Sequence, residues 1–80
     1  MEKLLTIELG GKDQIVEMHL NKLGSEYLRD ILSKLIAENQ NCDHHLMTPD
    51  WGGNELTSDQ QNLKEGSKLI HNLKLFYWKE

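Results

Sequence analysis

Ser25-Glu26-Tyr27-Leu28-Arg29-Asp30-Ile31-Leu32-Ser33-Lys34-Leu35-Ile36-Ala37-Glu38 is the stretch whose period decides the fold. Tyr27, Leu28, Ile31, Leu32, Leu35 and Ile36 recur at three- and four-residue spacing, which places them along one side of an α-helix. Ser25 suits the N-cap, and Glu26 just after it suits the positive end of the helix dipole. Leu23 can staple the helix entry. Asn39, Gln40 and Asn41 end the pattern without a glycine, so an asparagine is expected in the left-handed C-terminal position. The spacing predicts a helix over residues 25–38.

Moving outward toward the N-terminus, the period changes to two. Leu5, Ile7 and Leu9 alternate with Thr6 and Glu8, and Val16, Met18 and Leu20 alternate again after Gly10-Gly11-Lys12-Asp13. Two such runs joined by a short Gly-rich turn read as a β-hairpin. On the C-terminal side, Cys42 to Met47 reads as a strand, ended by Thr48-Pro49 because proline pushes the residue before it toward extended geometry and cannot donate a ladder bond. Lys68 to Trp78 reads as the last strand, with Leu69, His71, Leu73, Leu75 and Tyr77 on one face and Ile70, Asn72, Lys74, Phe76 and Trp78 on the other.

The connection over residues 48–67 is roughly twenty residues, against a usual ~4–6. Trp51, Leu56 and Leu63 can pin it, so an ordered loop is expected, with a helical turn near Ser58 to Leu63. The resulting fold is α+β, a single domain over residues 1–80. Its order is β-β-α-β-β, with one helix packed on one face of a four-stranded, mainly antiparallel sheet. With the helix carrying the chain back across the sheet, a fully antiparallel arrangement needs strand order 2-1-3-4 or 1-2-4-3. Ile15, Ile70, Phe76 and Trp78 then lie opposite the helix, to be covered by the long loop or by a second molecule.

Nine basic and thirteen acidic side chains give a formal charge of −4, with Arg29 the only arginine. Neutralising phosphates needs a positive footprint, so nucleic acid is not an expected partner. A mildly acidic surface favours a basic protein partner by electrostatic steering. The single cysteine, Cys42, cannot form an internal disulfide and fits a reducing compartment. The opening residues lack the apolar core of a signal peptide and no apolar run reaches membrane-spanning length, so a cytoplasmic location is expected.

Three chemistries compete for the polar and aromatic residues. Cys42, His44 and His45, with His71 on the last strand, have the ligand types zinc prefers, although His44 and His45 point to opposite faces of a strand. Cys42 with His44 or His71 could form a thiol nucleophile and its base, but no oxyanion hole or orienting acid accompanies them. Gly52-Gly53 could cradle an anion, yet Asp50 and Glu55 flank it with like charge. No catalytic residue, resident metal or cofactor is therefore assigned. The remaining pattern is Trp51 on sharply shaped backbone between Pro49 and Gly52-Gly53, flanked by Asp50 and Glu55. That reads as an aromatic anchor for a protein partner or as a lid folded back on the sheet.

The run His45-Leu46-Met47-Thr48-Pro49-Asp50-Trp51-Gly52-Gly53-Asn54-Glu55-Leu56, with the later Leu69-Ile70 and Leu73 to Trp78, resembles the immunity protein 32 family. The resemblance lies mainly in the C-terminal half, and Asn72-Leu73-Lys74 stands where the family often has His-Val-Lys. Members are small cytosolic bacterial proteins of polymorphic toxin systems. The resemblance implies a protein that neutralises a cognate toxin by direct binding; joined to the residue reading, it gives a non-enzymatic binding module with Trp51 as anchor, Asp50 and Glu55 as charge complements, and Gly52 and Gly53 shaping the loop. Two alternatives remain open from the residues alone. One is a structural homodimer formed through an exposed apolar face or a free strand edge, and the other is a metal- or thiol-dependent enzyme.

Overall fold

A computed structural model of the chain describes residues 2–11 and 14–80. These residues form an α+β fold in the order β1 (Leu5–Gly10), β2 (Ile15–Leu20), α1 (Lys22–Glu38), β3 (Cys42–Met47), a 3₁₀ turn (Pro49–Trp51), β4 (Lys68–Ile70) and β5 (Asn72–Tyr77). The expected hairpin is present, with Leu5 opposite Leu20 and Leu9 opposite Val16. Its turn residues Lys12 and Asp13 lie outside the described residues.

The helix begins earlier than its apolar period predicts. Asn21, not Ser25, is the N-cap, and its Oδ1 accepts from the backbone N–H of Gly24 at 2.9 Å. The same oxygen accepts from the Leu4 N–H at 3.0 Å, while the Asn21 N–H donates to the Leu4 carbonyl at 3.2 Å. One side chain thus caps the helix and ties it to the chain entering β1. The approach is so close that a Cβ at Gly24 would overlap the Leu4 carbonyl oxygen. Leu23 consequently lies in the first turn, half exposed, rather than ahead of it as a staple. At the other end the expectation holds. Asn39 takes φ 46°, ψ 52°, and its N–H returns to the Leu35 carbonyl at 2.9 Å.

The expected single four-stranded sheet is instead two antiparallel sheets, one of order β2-β1-β4 and one pairing β3 with β5. The predicted last strand is broken at His71, and neither anticipated strand order occurs. The register of β1 with β4 sets Ile7 opposite Ile70 and Leu9 opposite Lys68, so its continuation would set Leu5 opposite Asn72. Thr57 takes that place. Its N–H donates to the Leu5 carbonyl at 2.8 Å and its hydroxyl accepts from the Leu5 N–H at 3.0 Å. The His71 carbonyl turns instead to the Thr48 N–H at 3.0 Å, and β5 then pairs with β3 from Met47–Asn72 to Cys42–Tyr77. The break also shifts the side-chain phase. Ile70 and Leu73 would face opposite ways on an unbroken strand, yet both pack on the same core.

That core is Leu5, Ile7, Leu46 and Leu56, with Tyr27, Ile31, Ile70 and Leu73 against it. The helix contributes one row, Tyr27, Ile31 and Leu35, while Leu32 and Ile36 of the predicted stripe remain exposed. The long connection is ordered, but its one helical turn is the 3₁₀ turn at Pro49–Trp51, not the turn expected near Ser58 to Leu63. Leu56 is buried as a pin, whereas Leu63 is exposed.

Candidate functional site

The connection leaves β3 through a turn built on Thr48. The Thr48 carbonyl accepts from the N–H groups of both Trp51 and Gly53 at 3.0 Å, and the Gly52 N–H donates to the Pro49 carbonyl at 3.0 Å. Gly52 sits at φ +87°, where a side chain is strained. Gly53 has no room for one, since a Cβ would lie 2.7 Å from both the Cβ and the carbonyl oxygen of Met47. Pro49 at the first position of the turn pre-sets its φ.

Thr48 is fully buried, and its hydroxyl pairs with His71 Nδ1 at 2.7 Å. The imidazole of His71 lies flat against the indole of Trp51, with ring centroids 5.9 Å apart and planes 7° from parallel. Trp51 remains 59% exposed. The ring is thus supported on one side by His71 and open to solvent on the other. Asp50 stays exposed and accepts from the Ser58 hydroxyl at 3.1 Å. Glu55 turns inward, its Oε1 accepting from the Met47 N–H at 3.1 Å. Lys3 closes the loop from the far side by donating to the carbonyls of Asn54 and Glu55 at 2.8 and 2.9 Å, with its ammonium 3.9 Å from the Tyr27 ring centroid. Burial lowers the Lys3 pKa, opposed by the nearby Glu55 charge.

The four candidate ligands Cys42, His44, His45 and His71 are not gathered at one point. His45 is exposed, with Nδ1 3.3 Å from Asn72 Oδ1 and Nε2 3.6 Å from Asp43. His71 is committed to Thr48 and Trp51. Cys42 and His44 both line an open groove of about 500 Å³ between α1 and β3, along with Tyr27, Ile31 and Leu35.

A different polar cluster does assemble, and reading the sequence missed it. Glu8 on β1 stands opposite Glu17 on β2, and Thr6 stands opposite His19. Glu8 is fully buried. Its Oε2 accepts from the Thr6 hydroxyl at 2.6 Å and the Gln61 N–H at 2.9 Å, and its Oε1 accepts from the Asn62 N–H at 2.7 Å. Burial alone would push the Glu8 carboxyl up, but the Thr6 hydroxyl, the two backbone N–H groups and the neighbouring His19 together hold it below the ordinary carboxylate range. Glu17 is also held low, first by His19, whose Nε2 is 2.9 Å away, and then by the Asn62 amide. Glu8, Glu17 and His19 bring potential ligand atoms within 4.8 Å of one another. The oxygens of Glu8 are already engaged by protein donors, so the cluster works as the clasp that fastens the long connection over β1. The sequence signal was the pairing of Thr6-x-Glu8 with Glu17-x-His19 across the hairpin.

None of the described helices is long and apolar enough to cross a membrane. Comparison with protein-family models, with curated proteins and with solved structures finds no match to this chain.

Proposed function

We propose that this chain is a non-enzymatic protein-binding module that presents Trp51 and Asp50 to a protein partner, with Gly52, Gly53 and Glu55 shaping the loop that carries them. The observation that carries the reading is the state of Trp51. Its ring is mostly exposed, yet it is stacked on His71 and mounted on a turn closed by the Thr48 and Pro49 carbonyls. Holding a large apolar surface rigid in water lowers the ordering cost of binding, which is how aromatic anchors at interfaces act. The acidic composition suits a basic partner.

The resemblance of residues 45–56 to the immunity protein 32 family supports a more specific form of this reading, in which the partner is a cognate bacterial toxin neutralised in the cytoplasm. The test is a pull-down of the tagged chain from its host lysate beside Trp51→Ala. A protein retained by the wild type and lost with the folded variant supports the reading and names the partner. Equal retention by both removes Trp51 as the anchor.

A further inference from the structure

Among the described residues, β2 is the outer strand of its sheet with no strand beyond it, and one face of that edge is apolar. Val16, Met18 and Leu20 are 66%, 45% and 40% exposed, on the same face as Ile7 and Leu5. Soluble proteins usually protect such an edge with lysine, proline or a bulge. The run Ile15-Val16-Glu17-Met18-His19-Leu20 contains neither lysine nor proline and pairs with β1 residue for residue without a bulge.

The backbone of this edge is also available. Leu5 exchanges its bonds with Thr57, on the side away from β2, so Leu5 and Leu20 are a non-hydrogen-bonded pair of the hairpin. By alternation, the N–H and C=O groups of Val16, Met18 and Leu20 point outward from the sheet edge.

We infer that two copies of this chain pair through antiparallel β2 edges about a two-fold axis at Met18, giving a continuous six-stranded sheet. The strand selects both the occupant and the register. With Met18 opposite its own copy, Val16 meets Leu20 and Glu17 meets His19 of the second copy. Val16, Met18 and Leu20 then face apolar residues and Glu17 faces His19, while Ile15 meets Asn21 just beyond the end of the strand. The three residues with outward backbone groups become the hydrogen-bonded pairs. Moving the axis to Glu17 sets two carboxylates opposite each other, and moving it to His19 sets two imidazoles opposite each other. An isologous contact of this kind closes as a dimer and leaves no free β2 edge for further growth. The interface does not use Trp51, so it stands apart from the partner-binding reading.

Light scattering and sedimentation of the full chain over a concentration series provide the test. The expected result is twice the chain mass at high concentration, unchanged in Trp51→Ala. In Met18→Lys, which sets two ammonium groups together at the axis, the dissociation constant should rise at least tenfold with an unaltered circular dichroism spectrum. Cysteine cross-linking in a Cys42→Ser background checks the register. Met18→Cys should form an intermolecular disulfide, because opposed residues lie ~5.5 Å apart at Cα. Val16→Cys should not, because its two copies sit four residues apart along the pair, about 13 Å. A single chain mass at every concentration overturns the inference. So does a dimer that survives in folded Met18→Lys, that is lost in Trp51→Ala, or that cross-links through position 16 in preference to 18. If Met18→Lys does not fold, the cysteine pair decides alone.

Discussion

The imidazole of His71 supports the indole of Trp51 at 5.9 Å between ring centroids, and its Nδ1 holds the buried hydroxyl of Thr48 at 2.7 Å. Thr48 is also the residue whose carbonyl closes the turn carrying Trp51. One side chain from the break between β4 and β5 therefore positions both the exposed ring and the backbone beneath it.

His71→Ala should cost more stability than Trp51→Ala, although Trp51 is the larger residue. Removing the imidazole leaves a buried hydroxyl without its partner, about 1–3 kcal/mol, and loses the stack as well. Removing Trp51 loses the stack, about 0.5–1.5 kcal/mol beyond the part of the ring that is buried, and leaves no polar group without a partner. Urea denaturation of the two variants gives the comparison. A His71→Ala protein as stable as Trp51→Ala would show that His71 is not the support of the turn.

Glu8 makes stability depend on acid pH with a definite sign. Its carboxyl is held below the ordinary glutamate value of 4.5 in the folded chain. Between the folded value and 4.5 the unfolded chain binds more protons, so stability falls as pH falls through that window. The stabilisation is fully present at neutral pH and is gone below the folded value. Glu17, also held low, acts in the same direction. Glu8→Gln should cost at least about 2 kcal/mol at pH 7, since hydrogen bonds to a charged group are worth about 1.5–3 kcal/mol. It should also flatten the acid limb of the stability profile and speed hydrogen exchange at the Gln61 and Asn62 amides. An unchanged acid limb in Glu8→Gln would place the dependence elsewhere.

The parts of this fold that rest on local pattern were legible in the chain. The hairpin, β3 and the Asn39 cap follow from alternation, from Pro49 and from an asparagine beyond the last apolar residue. The broken last strand was not legible, because alternation runs without interruption from Leu69 to Tyr77. The break is imposed by Thr57 and Thr48, which reach Leu5 and His71 from distant parts of the chain. The true N-cap was hidden for the same reason, since half of the role of Asn21 is its bond to Leu4. At the site, the shaped backbone around Trp51 was visible from Pro49 and Gly52-Gly53, while its support by His71 was not. The Glu8 clasp escaped because a polar residue on a strand ordinarily faces water, and its cover arrives from residues 61 and 62.

The two adjacent glycines should respond differently to alanine. At Gly53 the added Cβ meets the Met47 backbone oxygen at 2.7 Å and Glu55 Oε1 at 2.8 Å. Backbone cannot yield cheaply there, so the turn must open, at a cost of about 1–3 kcal/mol. At Gly52 no atom stands within 4 Å, and the penalty is the positive φ alone, about 1 kcal/mol. Gly53→Ala should therefore weaken partner retention along with stability, whereas Gly52→Ala should lower stability and retain the partner. Thermal unfolding and the pull-down on both variants check this, and partner loss in Gly52→Ala alone would mean that residue touches the partner directly.

Asn21 should prove the most sensitive polar residue of the helix. Asn21→Ala removes the acceptor shared by Gly24 and Leu4, and with it the cap, worth about 1–2 kcal/mol. The loss of the Leu4 bond adds to this, because it frees the entry to β1 as well as the start of α1. Asn21→Asp keeps the acceptor and gives up only the Nδ2 bond to the exposed Glu2 carbonyl at 2.7 Å. A carboxylate at the helix N-terminus also gains from the dipole, so the aspartate variant should recover most of the lost stability at neutral pH. That recovery should fade as the pH falls below the aspartate range, because the protonated acid loses the favourable charge. Ser25→Ala should cost under about 1 kcal/mol, since its part-buried bond to the Asn21 carbonyl is not the cap. Equal losses for Asn21→Ala and Ser25→Ala in denaturant titrations would contradict this placement of the helix start.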